Sequence, residues 1–501
     1  MDWNEPEESA PLLKDRLGAQ FLGVATVILA LATSGYAFKS YVEARYTVRL
    51  AAGLIAPGPA LLPTGEESLQ FNALLADLNT AVEARPIGAA ACPAPAPEPL
   101  LLRSTIVETC AAPANLLPVA RLQPPLRLQP GVAALTPAGS RGERIWLSPL
   151  YRPGDPRLVS VVAAGDTMMG SLYPSRAGLN PALIPGVDAA RVVGADLAGI
   201  FRGADVAFLN LEGPLYDGLR DAAKDCANCF AFRSPEHYGR VLASLGLDVA
   251  SLANNHSGDF GEAGRTATIS ALREAGIAAA GLTRGDARTA TLILGDGRRV
   301  GVAAFAPNAG TLSLNDVAGA EAIVRTLSAN HDLVVVSFHG GAEGWGAVRV
   351  PDGPEYYLGE NRGAVENFAH RMIDAGASLV LGHGPHVPRA VEIYRGRLIA
   401  YSLGNFWTYG VVMNYAVSGL GPVLEAWLTP EGAVAGMQIH STRQAGLGVP
   451  RLDPLNEAAR YMMYLTRQDY PGTEALLTRQ SELFISGKSE PVPTALASSD
   501  F

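Results

Sequence analysis

Positive charge is in short supply. Lys and Arg total 39 against 48 Asp and Glu, a net charge of −9. A general nucleic-acid binder needs a basic face to neutralise phosphates, so this balance argues against that class. Charged residues of both signs make up only 17% of the chain, too few for long disordered charge tracts. Cysteine is scarcer still: Cys92, Cys110, Cys226 and Cys229 are the four in 501 residues. That count suits one or two structural disulfides. Cys226 and Cys229 form a CxxC with no second CxxC, so a four-ligand zinc site would have to recruit distant groups. A thioredoxin-like motif would open a helix after a strand, whereas Asp225-Cys-Ala-Asn-Cys-Phe230 reads as a loop. In an oxidising compartment a local disulfide stapling this loop is the favoured reading.

Apolar residues are plentiful, at 48%, and the length suggests two or three domains. One apolar run stands apart. Leu17 to Phe38 holds 22 residues without a charged side chain. At about 1.5 Å rise per residue this spans a hydrocarbon core roughly 30 Å thick. The run is longer than the apolar region of a usual signal peptide, although small residues near Ala32 to Ala37 leave cleavage open. The reading is a single-pass signal anchor in the cell membrane. Lys14 and Arg16 precede it and Lys39, Arg45 and Arg49 follow, so flanking charge does not set the orientation. An anchor this near the N-terminus leaves residues 1–16 as a cytoplasmic tail and places the main body outside the cytoplasm.

Residues 39–155 read as a stalk with a small subdomain. Ala89 to Pro99 and Gln123 to Pro130 carry Pro at a density that suits extended chain. A helix is expected at Glu66 to Glu83 and a short strand at Leu101 to Val107. From residue 156 the pattern changes. Apolar or β-branched runs at Val159–Ala163, Val206–Asn210, Val249–Leu252, Val300–Phe305, Leu333–Phe338, Leu379–Leu381 and Leu398–Tyr401 alternate with helical stretches. Those stretches include Pro235–Leu245, Glu262–Ala275 and Gly363–Ala375. Buried strands alternating with helices predict an α/β sheet layered by helices. Residues 446–501 read as a C-terminal extension, with helices at Asn456–Thr466 and Gly472–Ser481.

Polar residues follow directly on the apolar runs. In open α/β sheets, ligands bind beyond the carboxyl ends of the strands. One run ends on Gly165-Asp166, the next on Asn210-Leu-Glu212, a third on Asn254-Asn255-His256. Later runs end on His339-Gly-Gly, on Gly382-His383-Gly-Pro-His386 and on Gly404-Asn405-Phe406. Four of the eight histidines fall in these turns. One histidine in a loop is ordinarily solvated, and one Gly-Asp is ordinarily a turn. Imidazoles and carboxylates repeated at successive strand ends instead suit divalent Zn, Mn, Fe or Mg. Two such ions sharing a carboxylate would polarise a phosphoryl or acyl group and lower the pKa of a water. His237, His331, His370 and His440 lie elsewhere and read as structural or exposed.

At these motifs, together with Phe232-Arg-Ser-Pro235 and Ser402 to Phe406, residues 156–445 resemble the CapA family of poly-γ-glutamate capsule-biosynthesis proteins. That family is similar to calcineurin-like metallophosphatases, which implies a layered α/β sandwich. The resemblance implies divalent metal ions, two in number and of unassigned identity, with Asp166, Glu212, Asn255, His339, His383 and His386 as ligands. Glu212 would bridge, His256 would act as general acid, and Arg233 would bind an anionic substrate group. Glu343 would orient His339, and together with Asn254 and Asn405 it joins Arg233 among the candidate substrate-binding residues. Three positions depart from the pattern. Thr167 and Met168 follow Asp166 where metallophosphatases have Asp-x-His, and Gly340 and Gly384 stand where the family usually has Trp and His. Two readings stay open. One is a membrane-anchored, metal-dependent hydrolase acting on a phosphoester or an anionic poly-γ-glutamate-like polymer. The other is a non-catalytic, polymer-binding subunit of a capsule synthesis and export complex. A lone secreted phosphodiesterase would leave the anchor unexplained.

Overall fold

The computed structural model describes residues 142–148, 150–172, 178–218, 230–410 and 416–477, together with the backbone of five short strands before residue 123. The expected anchor at Leu17 to Phe38 lies outside the described residues, as do Cys92, Cys226 and Cys229. Among the described residues no helix is long and apolar enough to cross a membrane.

The chain divides into two compact units. The first takes in residues 1–74 and 81–126. Its strand Val82–Ile87 pairs in parallel with Thr105–Cys110, which pairs antiparallel with Val119–Leu122. Val82 and Glu83 therefore belong to a strand and not to the expected helix, whose remainder lies outside the described residues. The stretch Val-Glu-Ala-Arg alternates apolar with polar, the period-2 signature of a strand. The single strand expected at Leu101 to Val107 is two, Leu100–Leu101 and Thr105–Cys110.

The second unit takes in residues 75–80 and 127–501. Its elements run β1 (Val159–Met168), α1 (Ala189–Val193), α2 (Ala195–Arg202), β2 (Val206–Leu211), α3 (Tyr238–Leu245), β3 (Val249–Ser251), α4 (Gly261–Glu274) and β4 (Ala278–Ala280). There follow β5 (Thr289–Ile293), β6 (Arg299–Phe305), α5 (Val317–Ser328), β7 (Leu333–His339), α6 (Val365–Asp374), β8 (Leu379–His383), β9 (Val391–Tyr394) and β10 (Arg397–Ala400). The last are β11 (Asn405–Thr408), β12 (Leu420–Leu428), β13 (Val434–Ala445), β14 (Val449–Leu452) and α7 (Glu457–Asp469).

These strands form two sheets. The nine-stranded sheet has the order β4-β3-β2-β1-β12-β13-β14, with β11 beside β1 and Ile145–Trp146 beside β13. The six-stranded sheet has the order β5-β6-β7-β8-β10-β9. Strands β1 to β4 run parallel, as do β6, β7, β8 and β10.

Side-chain alternation assigns the layers. On β1, Val159, Val161 and Ala163 enter a core shared with Val300, Val302, Leu333, Val335 and Leu379 of the other sheet. Val162 and Ala164, one residue out of step, face a second core with Leu197 and Phe201 of α2 and Leu242 and Leu245 of α3. On the six-stranded sheet, Val334, Val336 and Phe338 face a third core with Val324 of α5 and Phe368 and Met372 of α6. The order is helices, sheet, sheet, helices. The sheets are thus buried on both faces, which is why their strands read as unbroken apolar runs. Fully burying one such side chain contributes about 1.5–3 kcal/mol.

The caps are local. Asp188 Oδ1 accepts from Ala190 N at 2.9 Å to start α1, and Asp316 Oδ1 accepts from Gly319 N at 3.0 Å to start α5. Gly246, at φ 104°, closes α3 in a left-handed turn. Helix α7 sets Ala459, Met462 and Met463 into the core between the sheets, and residues 471–477 continue helically beyond it.

Candidate metal centre

Parallel strands β1, β2, β3, β7 and β8 all deliver their carboxyl ends to one place. Asp166 lies near the end of β1, and Glu212 follows β2 directly. His339 and His383 are the last residues of β7 and β8 and stand opposite each other in the ladder. A register shift between β1 and β2 passes over Gly165 and sets Asn210 opposite Asp166. Bulges of this kind re-aim side chains. Gly165 is required there: a Cβ would fall 2.1 Å from the Gly404 carbonyl oxygen, and Asp166 N donates to that same oxygen at 2.8 Å.

One atom each of Asp166, Glu212 and His339 lie within 4.8 Å of one another, all buried. His386 Nδ1 is 3.0 Å from Asp166 Oδ2, and its Nε2 is 3.4 Å from Glu212 Oε1. His339 Nε2 lies 3.9 Å from Glu212 Oε1, and His383 Nδ1 lies 3.6 Å from Asp166 Oδ1. Apart from the 3.0 Å contact, these separations are long for hydrogen bonds. They are close to the roughly 3.0–3.5 Å between two ligands that each sit about 2.1 Å from a shared ion.

Hydrogen bonding gives a second test of fit. Glu212 Oε1, Asn255 Oδ1, His339 Nε2 and both ring nitrogens of His383 are buried without a partner. A buried polar atom left unpaired costs about 1–3 kcal/mol, and native structures hold few of them. Of these, Glu212 Oε1 and His339 Nε2 are gathered with Asp166, and oxygen and nitrogen donors gathered in this way suit a divalent cation.

The electrostatics agree. Burial pushes the Glu212 carboxyl up, to about 8, helped by neighbouring Asp166 and Glu343. Burial would also raise Asp166, but the hydrogen bond and charge of His386 outweigh it and hold Asp166 well below the usual carboxylate range. Burial keeps His339 well below the usual imidazole range and lowers His383 to about 4. Burial opposes charge on His386 too, yet the carboxylates around it push it up to about 10. Burial thus disfavours charge on Glu212, His339 and His383, while the carboxylates favour it on His386. His386 sits at φ 58°, an uncommon conformation for a residue with a side chain, of the sort that collects at functional sites.

The remaining sequence-predicted residues fall into two groups. Asn254 and Asn405 are scaffold to the centre. Asn254 Nδ2 donates to Asn210 Oδ1 at 3.2 Å and to the Leu211 carbonyl at 2.9 Å, and Asn210 Nδ2 donates to Asp166 Oδ1 at 2.8 Å. Asn405 Oδ1 accepts from His386 Nδ1 at 3.0 Å while its amide donates to the Ser418 carbonyl at 3.2 Å. Glu343 stands beside His386, at 3.8 Å from Nε2, and not against His339. Arg233 is turned to other partners: Nη1 donates to the Gly218 carbonyl, and the guanidinium lies 5.4 Å from the Phe260 ring centre.

His256 lies in the turn after β3, buried against Phe232 with ring centres 4.4 Å apart. Its Nδ1 is 2.8 Å from Asp259 Oδ2, which also accepts from Phe232 N at 2.7 Å. A carboxylate on Nδ1 fixes the ring and its tautomer. Asp259 escaped the sequence reading, although its place three residues after His256 in one turn was visible. Asn210 escaped as well. Arg362 and Arg389 gave no local signal, since their partners Glu343 and Glu355 are distant in sequence. The histidines read as structural have partners away from the centre: Leu183 for His237, Leu327 and Thr291 for His331, Glu392 for His370 and Glu425 for His440.

The two unusual glycines form one local solution. A Cβ on Gly340 would lie 2.4 Å from Leu314 Cδ2 and 2.7 Å from the Arg362 carbonyl oxygen. A Cβ on Gly384, at φ 109°, would lie 2.9 Å from the Gly340 backbone. The space a Trp and a His would need is filled by this chain's own backbone and by Leu314.

The layered fold and the buried Asp–Glu–His cluster at its strand ends define an α/β protein with a candidate metal centre. Residues 160–409 match the family model of the bacterial capsule synthesis protein PGA_cap. The chain belongs to that family, the CapA family. Capsule biosynthesis protein CapA of Bacillus anthracis is 32% identical over 187 residues, covering 33% of this chain and 41% of the relative. PGA biosynthesis protein CapA of Bacillus subtilis (strain 168) is 30% identical over 226 residues, covering 41% of this chain and 54% of the relative. The chain thus spans about half the length of the curated relatives it matches. Overlap with solved structures is slight: the 5′-nucleotidase precursor from Thermus thermophilus shares 14% identity at a TM-score of 0.34, over 66% of this chain and 59% of that one.

Proposed function

We infer that this chain is a membrane-anchored, metal-dependent hydrolase of capsule or cell-envelope polymer metabolism, with its body outside the cytoplasm. The observation that carries the reading is the convergence, at the ends of strands from both sheets, of buried carboxylate, amide and imidazole atoms that lack partners. The relatives are capsule and PGA biosynthesis proteins by name, which supplies the polymer context. The apolar run at Leu17 to Phe38 supplies the anchor.

Asp166, Glu212, Asn255, His339, His383 and His386 would hold the ions, with Glu212 placed between His339 and His386. Divalent ions held there would supply Lewis acidity towards a phosphoryl or amide carbonyl group and would activate a water. His256, its ring oriented by the Asp259 carboxylate on Nδ1, would act as the general acid towards the leaving group. The Phe232 ring packs against it at 4.4 Å between centres.

A non-catalytic, polymer-binding subunit is the second reading. It draws on Thr167 and Met168, which leave the Asp166 side without the histidine of metallophosphatases, and on Arg233, whose guanidinium faces Gly218 and Phe260. Hydrolysis separates the two. Metal-loaded protein should cleave a phosphoester or a γ-glutamyl test substrate, and His256→Ala should lose on the order of 10²-fold or more in rate. Wild-type protein that binds polymer but turns over neither substrate, at the same rate as His256→Ala, supports the second reading instead.

A further inference from the structure

The loop after β7 is fastened at almost every residue. Gly340 N donates to the His383 carbonyl at 2.9 Å, Gly341 N to the Arg362 carbonyl at 2.8 Å and Gly344 N to the Pro385 carbonyl at 2.9 Å. Ala342 N donates to Glu355 Oε2 at 2.9 Å, and its carbonyl accepts from Arg389 Nη2 at 3.4 Å. Glu355 and Arg389 are themselves a buried bidentate pair at 2.8 and 2.7 Å. Glu355 and Arg362 sit on the two strands of one hairpin, Glu355–Tyr357 and Glu360–Gly363. The hairpin therefore grips the loop from both strands, and the side chain the loop presents is Glu343.

That presentation has a direction. Arg362 is 2% exposed, and its Nη2 donates to Glu343 Oε1 at 2.8 Å. A buried guanidinium is stable only with such partners, so this oxygen is committed. The other oxygen, Oε2, is left facing His386 Nε2 at 3.8 Å. The Nδ1 of that ring is 3.0 Å from both Asn405 Oδ1 and Asp166 Oδ2. Nε2 is then the nitrogen that faces both Glu212 and Glu343, at 3.4 and 3.8 Å. The 3.4 Å separation falls within the roughly 3.0–3.5 Å between two ligands of one ion, and the 3.8 Å separation is a few tenths longer. This is the side of the centre where Thr167 and Met168 supply no imidazole.

The geometry points to Glu343 as an additional oxygen ligand at the His386 side of the centre, set in place by Arg362 and the 355–363 hairpin. This assignment rests on the metal-centre reading above. It gives Arg362 the part of a positioning residue whose effect passes through Glu343.

Titration of metal-stripped, full-length protein with Mn2+, followed by the EPR signal of free Mn2+, tests it without any substrate. Glu343→Gln should weaken Mn2+ binding by ~10–100-fold, and Arg362→Gln, which leaves the carboxylate in place but loose, by about 10-fold. Arg362→Lys should recover part of that loss. Wild-type Mn2+ affinity in a folded Glu343→Gln protein overturns the assignment and leaves the metal centre standing. Wild-type protein that takes up no Mn2+ overturns the metal-centre reading and this one with it. If Glu343→Gln does not fold, Mn2+-loaded wild-type crystals decide. A Glu343 oxygen within roughly 2.5 Å of an anomalous peak supports the assignment, and one beyond about 3.5 Å overturns it.

Discussion

The two sheets equip the centre differently. The nine-stranded sheet brings oxygens: Asp166, Glu212 and the amides of Asn210, Asn254 and Asn255 follow β1, β2 and β3. The six-stranded sheet brings nitrogens, as His339, His383 and His386 follow β7 and β8. The oxygen side is held together by its own hydrogen bonds, Asn254 to Asn210 and Asn210 to Asp166. On the nitrogen side His339 Nδ1 meets Asn210 Nδ2 at 3.2 Å and His386 Nδ1 meets Asn405 Oδ1 at 3.0 Å, while neither nitrogen of His383 is hydrogen-bonded. Unpartnered atoms stand on both sides, at Glu212 and Asn255 as well as His339 and His383, but Asp166 anchors a hydrogen-bond network and the His383 ring anchors none. Substitutions on the two sides should therefore part company, most clearly when metal affinity and metal-free stability are read together.

The largest effect should come from the junction. Gly165→Ala forces a Cβ to within 2.1 Å of the Gly404 carbonyl oxygen. No side-chain rotation relieves a clash with backbone, so a loss of more than about 3 kcal/mol is expected in chemical denaturation. On the oxygen side, Asp166→Leu should remove metal binding and also destabilise the metal-free protein by about 2–4 kcal/mol, because Asn210 Nδ2 and Gly384 N lose their acceptor. On the nitrogen side, His383→Leu should abolish metal binding yet leave metal-free stability unchanged or raised by up to about 1 kcal/mol, since it removes two unpaired nitrogens. Equal losses from both substitutions in EDTA would break the comparison.

Acid sharpens the same contrast. Burial lowers His383 to about 4, below the usual value of 6.5 for the unfolded chain. A base held neutral in this way contributes stability that is present above pH 6.5 and lost as pH falls towards 4. His383 alone costs metal-free protein up to about 3 kcal/mol over that window, opposed by Glu212, whose raised carboxyl holds its proton there, so His383→Leu should be less destabilised by acid than wild type. A smaller effect is expected at Asp259. Asp259→Asn should leave Mn2+ affinity within about 3-fold of wild type while lowering turnover by roughly 10-fold or more, because it disturbs the orientation of His256 and the Phe232 backbone beside it.

Much of this could be read from the chain in one dimension. The runs from Val159 to Tyr401 became strands within a few residues of their expected limits, because a strand buried on both faces is apolar throughout. The candidate ligands were visible for the same reason: a carboxylate or imidazole that interrupts an apolar run stands out at its end. What stayed hidden depends on folding two distant segments together. Asn210 gains its role only when the bulge at Gly165 sets it opposite Asp166. Arg362 and Glu343 are 19 residues apart and meet because a hairpin folds back on the β7 loop. Arg233 was read as a substrate-binding residue from its place in a motif, and its contacts with Gly218 and Phe260 were not visible there. Val82 and Glu83 were assigned to a helix by apolar spacing, and their alternating pattern prevailed.

The central claim is that the strand ends of both sheets meet to hold divalent metal. The most direct measurement is the metal content of purified full-length protein by mass spectrometry, after loading with Mn2+ or Zn2+ and removal of excess. The account predicts between about one and two ions per chain, falling to near zero in His339→Ala protein that keeps its fold. Less than about one ion per chain in the wild type, or the same content in wild type and variant, would contradict it.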